Sequence, residues 1–357
     1  MTRYFTKIAP RWKKWAPPSD RLSMQITGTR NLGNMGNGIL ADNSGTNTIG
    51  GTISGAGNLI SGNLNGVVIS GSSAVGNAIQ GNLIGTQRDG VSPLGNRSHG
   101  IVISNSANLN MIGGAGATVC NVIALNAGCG VTVAQGVRNT IRGNSIFQNG
   151  VLGIDLGMDG VTPNDPCDAD AGPNNLVNYP VLTSATNCGS LTIVTRTLNS
   201  VPNPTFTLEF FSDHTTDPTT YGQGRIFLGS TNVTTDAGCN ANFTAILSPP
   251  VPAGDLICAT GTEPGGSTSE FSQSIIVVQP RLAFSSSAGK YQISWPSLVA
   301  GFHLECANNL APPTYWTTVT NAVVLTNGCY GATVSAVPGN HFYRLAKPSG
   351  ALFLPTR

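Results

Sequence analysis

GVVISGSSAVGNAIQGNLI, residues 66–84, decides the fold. It opens with a Gly-apolar-x-apolar tetrad at Gly66 and continues with two Asn-x-Ile units, at Asn77 and Asn82. The tetrad recurs at Gly38, Gly100, Gly130 and Gly153. The Asn-x-Ile pair recurs at Asn47 and Asn58, at Asn110 and Asn121, and at Asn139 and Asn144. Three short strand signals in fixed order, repeating every 23 to 34 residues, describe one turn of a coil. Coils of this kind stack as a parallel β-helix. Side-chain alternation along a strand puts Val67 and Ile69 on one side, likewise Ile101 and Ile103, Val131 and Val133, Ile154 and Leu156. These are expected inside, with Ile49, Ile60, Ile79, Ile84, Ile112, Ile123, Ile141 and Ile146. The leading asparagines are expected at corners, in left-handed backbone geometry and bonded to nearby main chain. Flanking glycines tolerate the corner angles.

Composition agrees with stacking. The chain has 357 residues, 45 of them Gly, and only 10% are charged, well under the roughly one quarter usual in soluble domains. Equivalent side chains in adjacent coils sit about 4.8 Å apart, where like charges repel and Asn, Ser, Thr and Val stack well. Residues 1–30 hold seven basic side chains and one acidic one; the remainder holds 11 basic and 15 acidic. The folded body is therefore acidic, which argues against nucleic acid as a partner. No run of 18 apolar residues marks a transmembrane helix. The N-terminus is basic and aromatic without an apolar core, so no signal peptide is visible. Residues upstream of Met1 are expected to be missing.

Eight cysteines include no C-x-x-C pair, which removes the usual zinc and redox signatures. Cys120 and Cys129 flank a strand signal of five residues, roughly 16 Å long, so they are expected free. Cys306 and Cys329 are a candidate pair within one module.

GNLIGTQRDGVSPLGN from Gly81, and GNSIFQNGVLGIDLGMDGVTPNDPCDADAGPNNLVNYPVL from Gly143, resemble the right-handed parallel β-helix repeats of large bacterial surface and secreted proteins. The resemblance implies an all-β fold with four to five coils over residues 26–185. It implies no single activity, because that architecture carries lyases, hydrolases, epimerases and adhesins. Over residues 186–279 the alternation lengthens, and FTLEFFS, GQGRIFLGSTNVTTDAG and SEFSQ resemble bacterial Ig-like sandwiches. Over 280–346, ISWPSLVAGFHLECANNL and GNHFYRL resemble a small C-terminal β module of secreted proteins. Residues 1–25 read as a disordered or truncated segment and 347–357 as a tail.

Three constellations are candidates for chemistry. Asp159, Asn164, Asp165, Asp168 and Asp170 crowd the loop leaving the coil; alternate carboxylates with an amide suit calcium, which takes six to eight hard oxygens. The competing reading is a solvated exit loop. Asp155 and Asp159 are the only carboxylate pair on the coil suited to glycoside cleavage, with Arg138 and Arg142 in the preceding coil as candidates for a lyase base. Asp155, lying between Ile154 and Leu156, is expected to face outward. The polygalacturonase-type set is absent; Ser98-His99-Gly100 is its nearest echo. His99 closes the longest insertion, where a rigid fold often displays binding residues. Trp295 and Trp316 offer either sugar-stacking platforms or core for a short module.

The expected function is a non-enzymatic extracellular or cell-surface scaffold for glycan or partner contact. The alternatives are a polysaccharide lyase or glycoside hydrolase fragment acting on acidic polysaccharide, and a purely structural stalk.

Overall fold

A computed structural model describes residues 29, 31, 33–116, 118–188, 191–215, 217–296, 302–326 and 329–346. The segments 1–25 and 347–357 lie outside the described residues. The chain is all-β. The first half contains β1 (Ile39–Asp42), β2 (Thr48–Gly50), β3 (Leu59–Ile60), β4 (Val67–Ser70), β5 (Ala78–Gln80), β6 (Leu83–Ile84) and β7 (Ile101–Ser104). It continues with β8 (Met111–Gly113), β9 (Val122–Ala124), β10 (Val131–Val133), β11 (Thr140–Arg142), β12 (Ser145–Phe147) and β13 (Ile154–Leu156). They form three parallel sheets, ordered β1-β4-β7-β10-β13, β2-β5-β8-β11 and β3-β6-β9-β12. Each turn of chain gives one strand to each sheet, an arrangement consistent with a parallel β-helix.

The register stacks like on like. Val67 pairs with Ile101, Ile101 with Val131 and Val131 with Ile154. Ile49, Ile79, Ile112 and Ile141 form a second column, and Ile60, Ile84, Ile123 and Ile146 a third. All of these side chains are buried in one cluster. Burial of an Ile or Val side chain contributes roughly 1.5–3 kcal/mol, so the columns stabilise the coil alongside its hydrogen bonds.

The asparagines act differently from the expectation. None of the eight leading Asn residues has positive φ. For six of the eight the left-handed residue is the one before: Thr46, Gly76, Leu109 and Arg138 in one column, Gly81 and Gly143 in another. That turn aims the Asn side chain along the stack. The Oδ1 of Asn77 accepts from both the backbone N–H (3.0 Å) and the amide (2.7 Å) of Asn47. Asn110, Asn139 and Asn174 repeat the contact upward. Asn58, Asn82, Asn121 and Asn144 form a second ladder. A third runs through Asn63, Asn96, Asn126 and Asn149, residues outside the Asn-x-Ile pattern. The tetrad glycines are required by close approach: a Cβ on Gly66, Gly100 or Gly130 would lie 2.5, 2.6 or 2.7 Å from the next coil's glycine carbonyl.

The second unit holds β14 (Val181–Asn187), β15 (Thr192–Asn199), β16 (Thr205–Asp213), β17 (Ile226–Thr234), β18 (Asn240–Leu247), β19 (Leu256–Thr262) and β20 (Ile275–Val278). Strand β20 pairs with β19 through Ile275 and Ile276, then with β14 through Val277. It thereby joins β17-β16-β19 to β14-β15-β18, and both groups contribute to a core containing Leu182, Val194, Phe206, Leu208 and Ile257. Strand β14 pairs antiparallel with β15.

The third unit holds β21 (Ala283–Ser287), β22 (Lys290–Pro296), β23 (His303–Ala307), β24 (Thr317–Thr318), β25 (Val323–Thr326), β26 (Cys329–Ser335) and β27 (Phe342–Ala346). They make a four-stranded and a three-stranded sheet over a small core that includes Ile293, Trp295 and Leu304. Cys306 and Cys329 sit in different sheets and are both free, so the candidate pair does not form. Cys120 and Cys129 are also free. The disulfide joins Cys167 to Cys239, tying the exit loop to the second unit.

The last coil would expose unpaired N–H groups, a hazard at any sheet edge. The second unit covers them. Ile141 N–H donates to Thr268 Oγ1 (3.0 Å), Ile146 N–H to Gly224 O (3.1 Å), and Leu156 N–H to Glu270 Oε1 (2.8 Å). Asn174 ends the first asparagine ladder and Gln223 the third. Phe211, Cys258 and Phe271 complete the coil's apolar core.

Candidate functional site

The outer face of the first sheet carries the column Leu40, Val68, Val102, Thr132 and Asp155, in register. Asp155 does leave the interior opposite Ile154 and Leu156, but it is not open to solvent: it is 4% exposed. Its Oδ2 accepts from the Cys129 thiol (3.2 Å) and its Oδ1 from Met158 N–H (3.1 Å). His99 lies beside them. Its Nδ1 accepts from Cys129 N–H (3.1 Å) and stands 3.2 Å from Thr132 Oγ1. An accepting Nδ1 assigns the ring proton to Nε2.

The electrostatics suit packing. Burial holds the His99 imidazole below its ordinary pKa, against the opposing charge of Asp155. Burial pushes the Cys129 thiol up to about 12. A nucleophilic cysteine needs a lowered pKa, so Cys129 here is a hydrogen-bonded thiol and not an activated nucleophile. Asp159 is exposed. Glu270, which the sequence reading did not single out, feels the charges of Asp155 and Asp159. Burial first, then the charges of Asp155 and Asp159, raise Glu270 to about 7. Both its oxygens are occupied by the N–H groups of Leu156 and Thr162 (3.0 Å).

The two arginines belong to the joint. Arg142 Nε bonds Glu209 Oε1 at 3.0 Å, and Glu209 Oε2 accepts from Gly143 N–H at 2.8 Å. Burial raises the Glu209 pKa, with Arg142 opposing it. Arg138 donates through Nε to Gly265 O (3.1 Å) and through its N–H to Ser267 Oγ. Asp155 and Arg142 therefore each have structural partners, and the structure does not gather the four residues around one open groove.

The exit loop brings three of the five predicted metal ligands together. Carboxylate oxygens of Asp165, Asp168 and Asp170 lie within 4.8 Å of one another. Asp168 accepts from Asn178 N–H (3.1 Å) and from the Ser200 hydroxyl. Asp165 Oδ2 accepts from Ala169 N–H (3.0 Å), while its Oδ1 is buried with no partner. Burial, reinforced by Asp170 and Asp165, pushes Asp168 up to about 6; burial and Asp165 raise Asp170. Asn164 is turned away: it accepts from Tyr179 N–H (3.0 Å) and donates to Tyr179 O (2.8 Å). Asp159 lies outside the cluster.

Trp295 is core, 2% exposed and packed with Ile293 and Leu304. Trp316 is half-buried, its ring covered by the Arg344 guanidinium at 4.3 Å. Trp295 therefore presents no exposed ring face. Asn96, a sequon in the sequence, is 1% exposed inside the third ladder. No helix among the described residues is long and apolar enough to cross a membrane. No family model matches this chain. No curated protein matches it either.

Proposed function

We propose that this chain is a non-enzymatic extracellular or cell-surface protein. A right-handed parallel β-helix of four to five coils, an Ig-like sandwich and a small C-terminal module would form a stiff scaffold for glycan or partner contact. One observation carries the reading: the side chains best suited to polysaccharide cleavage are engaged in holding the scaffold together. Asp155 is buried under Cys129 and Met158, and Arg142 is locked to Glu209. The Cys167–Cys239 disulfide supports an oxidising compartment, where such bonds persist. Assays for reducing ends and for unsaturated products on acidic polysaccharides are expected to be blank. Turnover that disappears in Asp155→Ala would instead favour the lyase or hydrolase reading.

Calcium is proposed at Asp165, Asp168 and Asp170, as a brace between coil and sandwich. The support is the convergence of three carboxylates on one point and the unpartnered Asp165 oxygen. A cation there would offset the desolvation that raises Asp168. Millimolar calcium is expected to raise the melting temperature of the wild type and not of Asp168→Asn. No shift in the wild type removes the brace.

A further inference from the structure

The outer face of the third sheet is partly roofed by the insertion that leaves β6 after Ile84 and returns toward β7. This insertion is well built. Thr86 bridges to Pro93, and Asp89 accepts from the N–H groups of Val91 (3.0 Å) and Ser92 (2.8 Å) and from the Ser92 hydroxyl. Those bonds point the Asp89 carboxylate into its own turn. The loop, through Arg88, Asp89 and Val91, the outward side chains Leu83 and Val122, and Arg225 with Ile226 from the second unit line an open cleft of about 380 Å³. That is within the ~300–1,000 Å³ usual for small-ligand sites, and it lies where two structural units meet.

Its chemistry is specific. The floor is Leu83, Val122 and Phe147 with Ser145, whose hydroxyl donates to Arg225 O. Two guanidinium groups, Arg88 and Arg225, line it, and among the described residues neither has a carboxylate within ion-pair distance. Arg225 lies over the Phe147 ring at 4.6 Å, and Phe147 is 3% exposed. Stacking occupies the face of the guanidinium and leaves its N–H edges free for a carboxylate in plane. Val91 and Ile226, 55% and 43% exposed, add apolar rims.

We infer that this cleft binds an acidic oligosaccharide, with a uronate carboxylate on Arg225 and Arg88 and the C–H face of the sugar ring on Leu83 and Val122. The inference rests on the glycan-scaffold reading and names the site and the ligand class. A sugar fits better than an acidic peptide. Strands β6 and β9 are paired on both sides and β12 is capped by the second unit, so the floor offers an extended peptide no free strand edge to pair with.

Calorimetric titration of the full chain with a galacturonate trisaccharide tests it. Saturable binding that weakens with salt is expected. Arg225→Gln and Arg88→Gln are each expected to weaken it at least about tenfold, the usual worth of a charge-assisted hydrogen bond. Val91→Glu, on the exposed loop, is expected to abolish binding with an unchanged melting curve, so a folding defect in the arginine variants cannot hide the answer. No wild-type binding, or equal binding by an Arg88→Gln/Arg225→Gln double variant, overturns the cleft. Equal or tighter binding of a glutamate hexapeptide overturns it in favour of an acidic peptide. If the wild type does not bind the trisaccharide but binds a neutral glycan on an array, the cleft fails and the scaffold reading survives. Silence across the whole array sinks the glycan reading itself.

Discussion

Asn121→Ala is expected to be among the most damaging single substitutions in the coil. Asn121 is fully buried. Its Oδ1 accepts from the N–H and the amide of Asn82, both at 3.0 Å. Its amide donates to Ile79 O (2.7 Å) and Asn144 Oδ1 (2.9 Å). Truncation spares some of these partners. The Asn82 amide keeps Ile49 O and Gln80 O, and Asn144 Oδ1 keeps the Asn121 N–H. One group loses its bond and stays dry, the Asn82 N–H; the Ile79 carbonyl keeps its place in the β5–β8 ladder. At about 1–3 kcal/mol for a buried orphan, the loss is roughly 1–3 kcal/mol, a sizeable part of the ~5–15 kcal/mol that holds a typical domain. Asn47→Ala is the control. That side chain is half-buried at the ladder's start, and Asn77 Oδ1 keeps the Asn47 N–H. Its cost is expected to stay near or below about 1 kcal/mol. Urea unfolding followed by circular dichroism measures both. Equal costs in the two variants, or less than about 1 kcal/mol for Asn121→Ala, would refute the claim that the ladders hold the coils.

Three further outcomes follow from the joint and the second core. Cys239→Ser removes a crosslink between residues 72 apart and is expected to cost roughly 4 kcal/mol by loop entropy; a reductant should lower the wild-type melting temperature and leave the variant unmoved. Glu270 has a folded pKa of about 7, above its unfolded value, so its contribution is complete below the unfolded pKa and is lost as pH rises through about 7. Wild type is therefore expected to gain stability from pH ~8 to ~5 relative to Glu270→Gln; parallel pH profiles would count against the account. Arg196 lies between Phe210 (4.5 Å) and Phe243 (3.5 Å), with Nε and Nη2 buried and unpartnered. Arg196→Met is expected to raise stability by about 1–2 kcal/mol, and a loss of that size would show that the ring contacts outweigh desolvation.

The coil was legible because its period is written in residue types. Only a stack repeats Gly-apolar-x-apolar and Asn-x-Ile at coil spacing, and every isoleucine expected inside is buried. The third asparagine ladder escaped notice because no isoleucine follows it; its signal is position, three or four residues ahead of each tetrad glycine, as Asn96 precedes Gly100. The left-handed corners were assigned one residue late for a similar reason: the residue that bends varies, from Thr46 to Arg138, while the residue that bonds is always Asn. Alternation correctly placed Asp155 on the outer side, but it carries no information about the thiol and imidazole brought over it from Cys129 and His99. The engagement of Arg142 with Glu209 was equally hidden, since the two are 67 residues apart. In the exit loop, local spacing sufficed for Asp165, Asp168 and Asp170, whereas Asn164 was claimed by Tyr179.

The lid formed by Gln223, Thr268, Glu270 and Asn174 touches only the final turn of chain. Every earlier turn offers its successor the same donors and acceptors that the lid receives. An extra turn spliced in before β4 would thus find matching neighbours above and below, with nothing altered at the seat. How far the rod extends and how firmly it is anchored become separate quantities, so such a protein can change reach without redesigning its base.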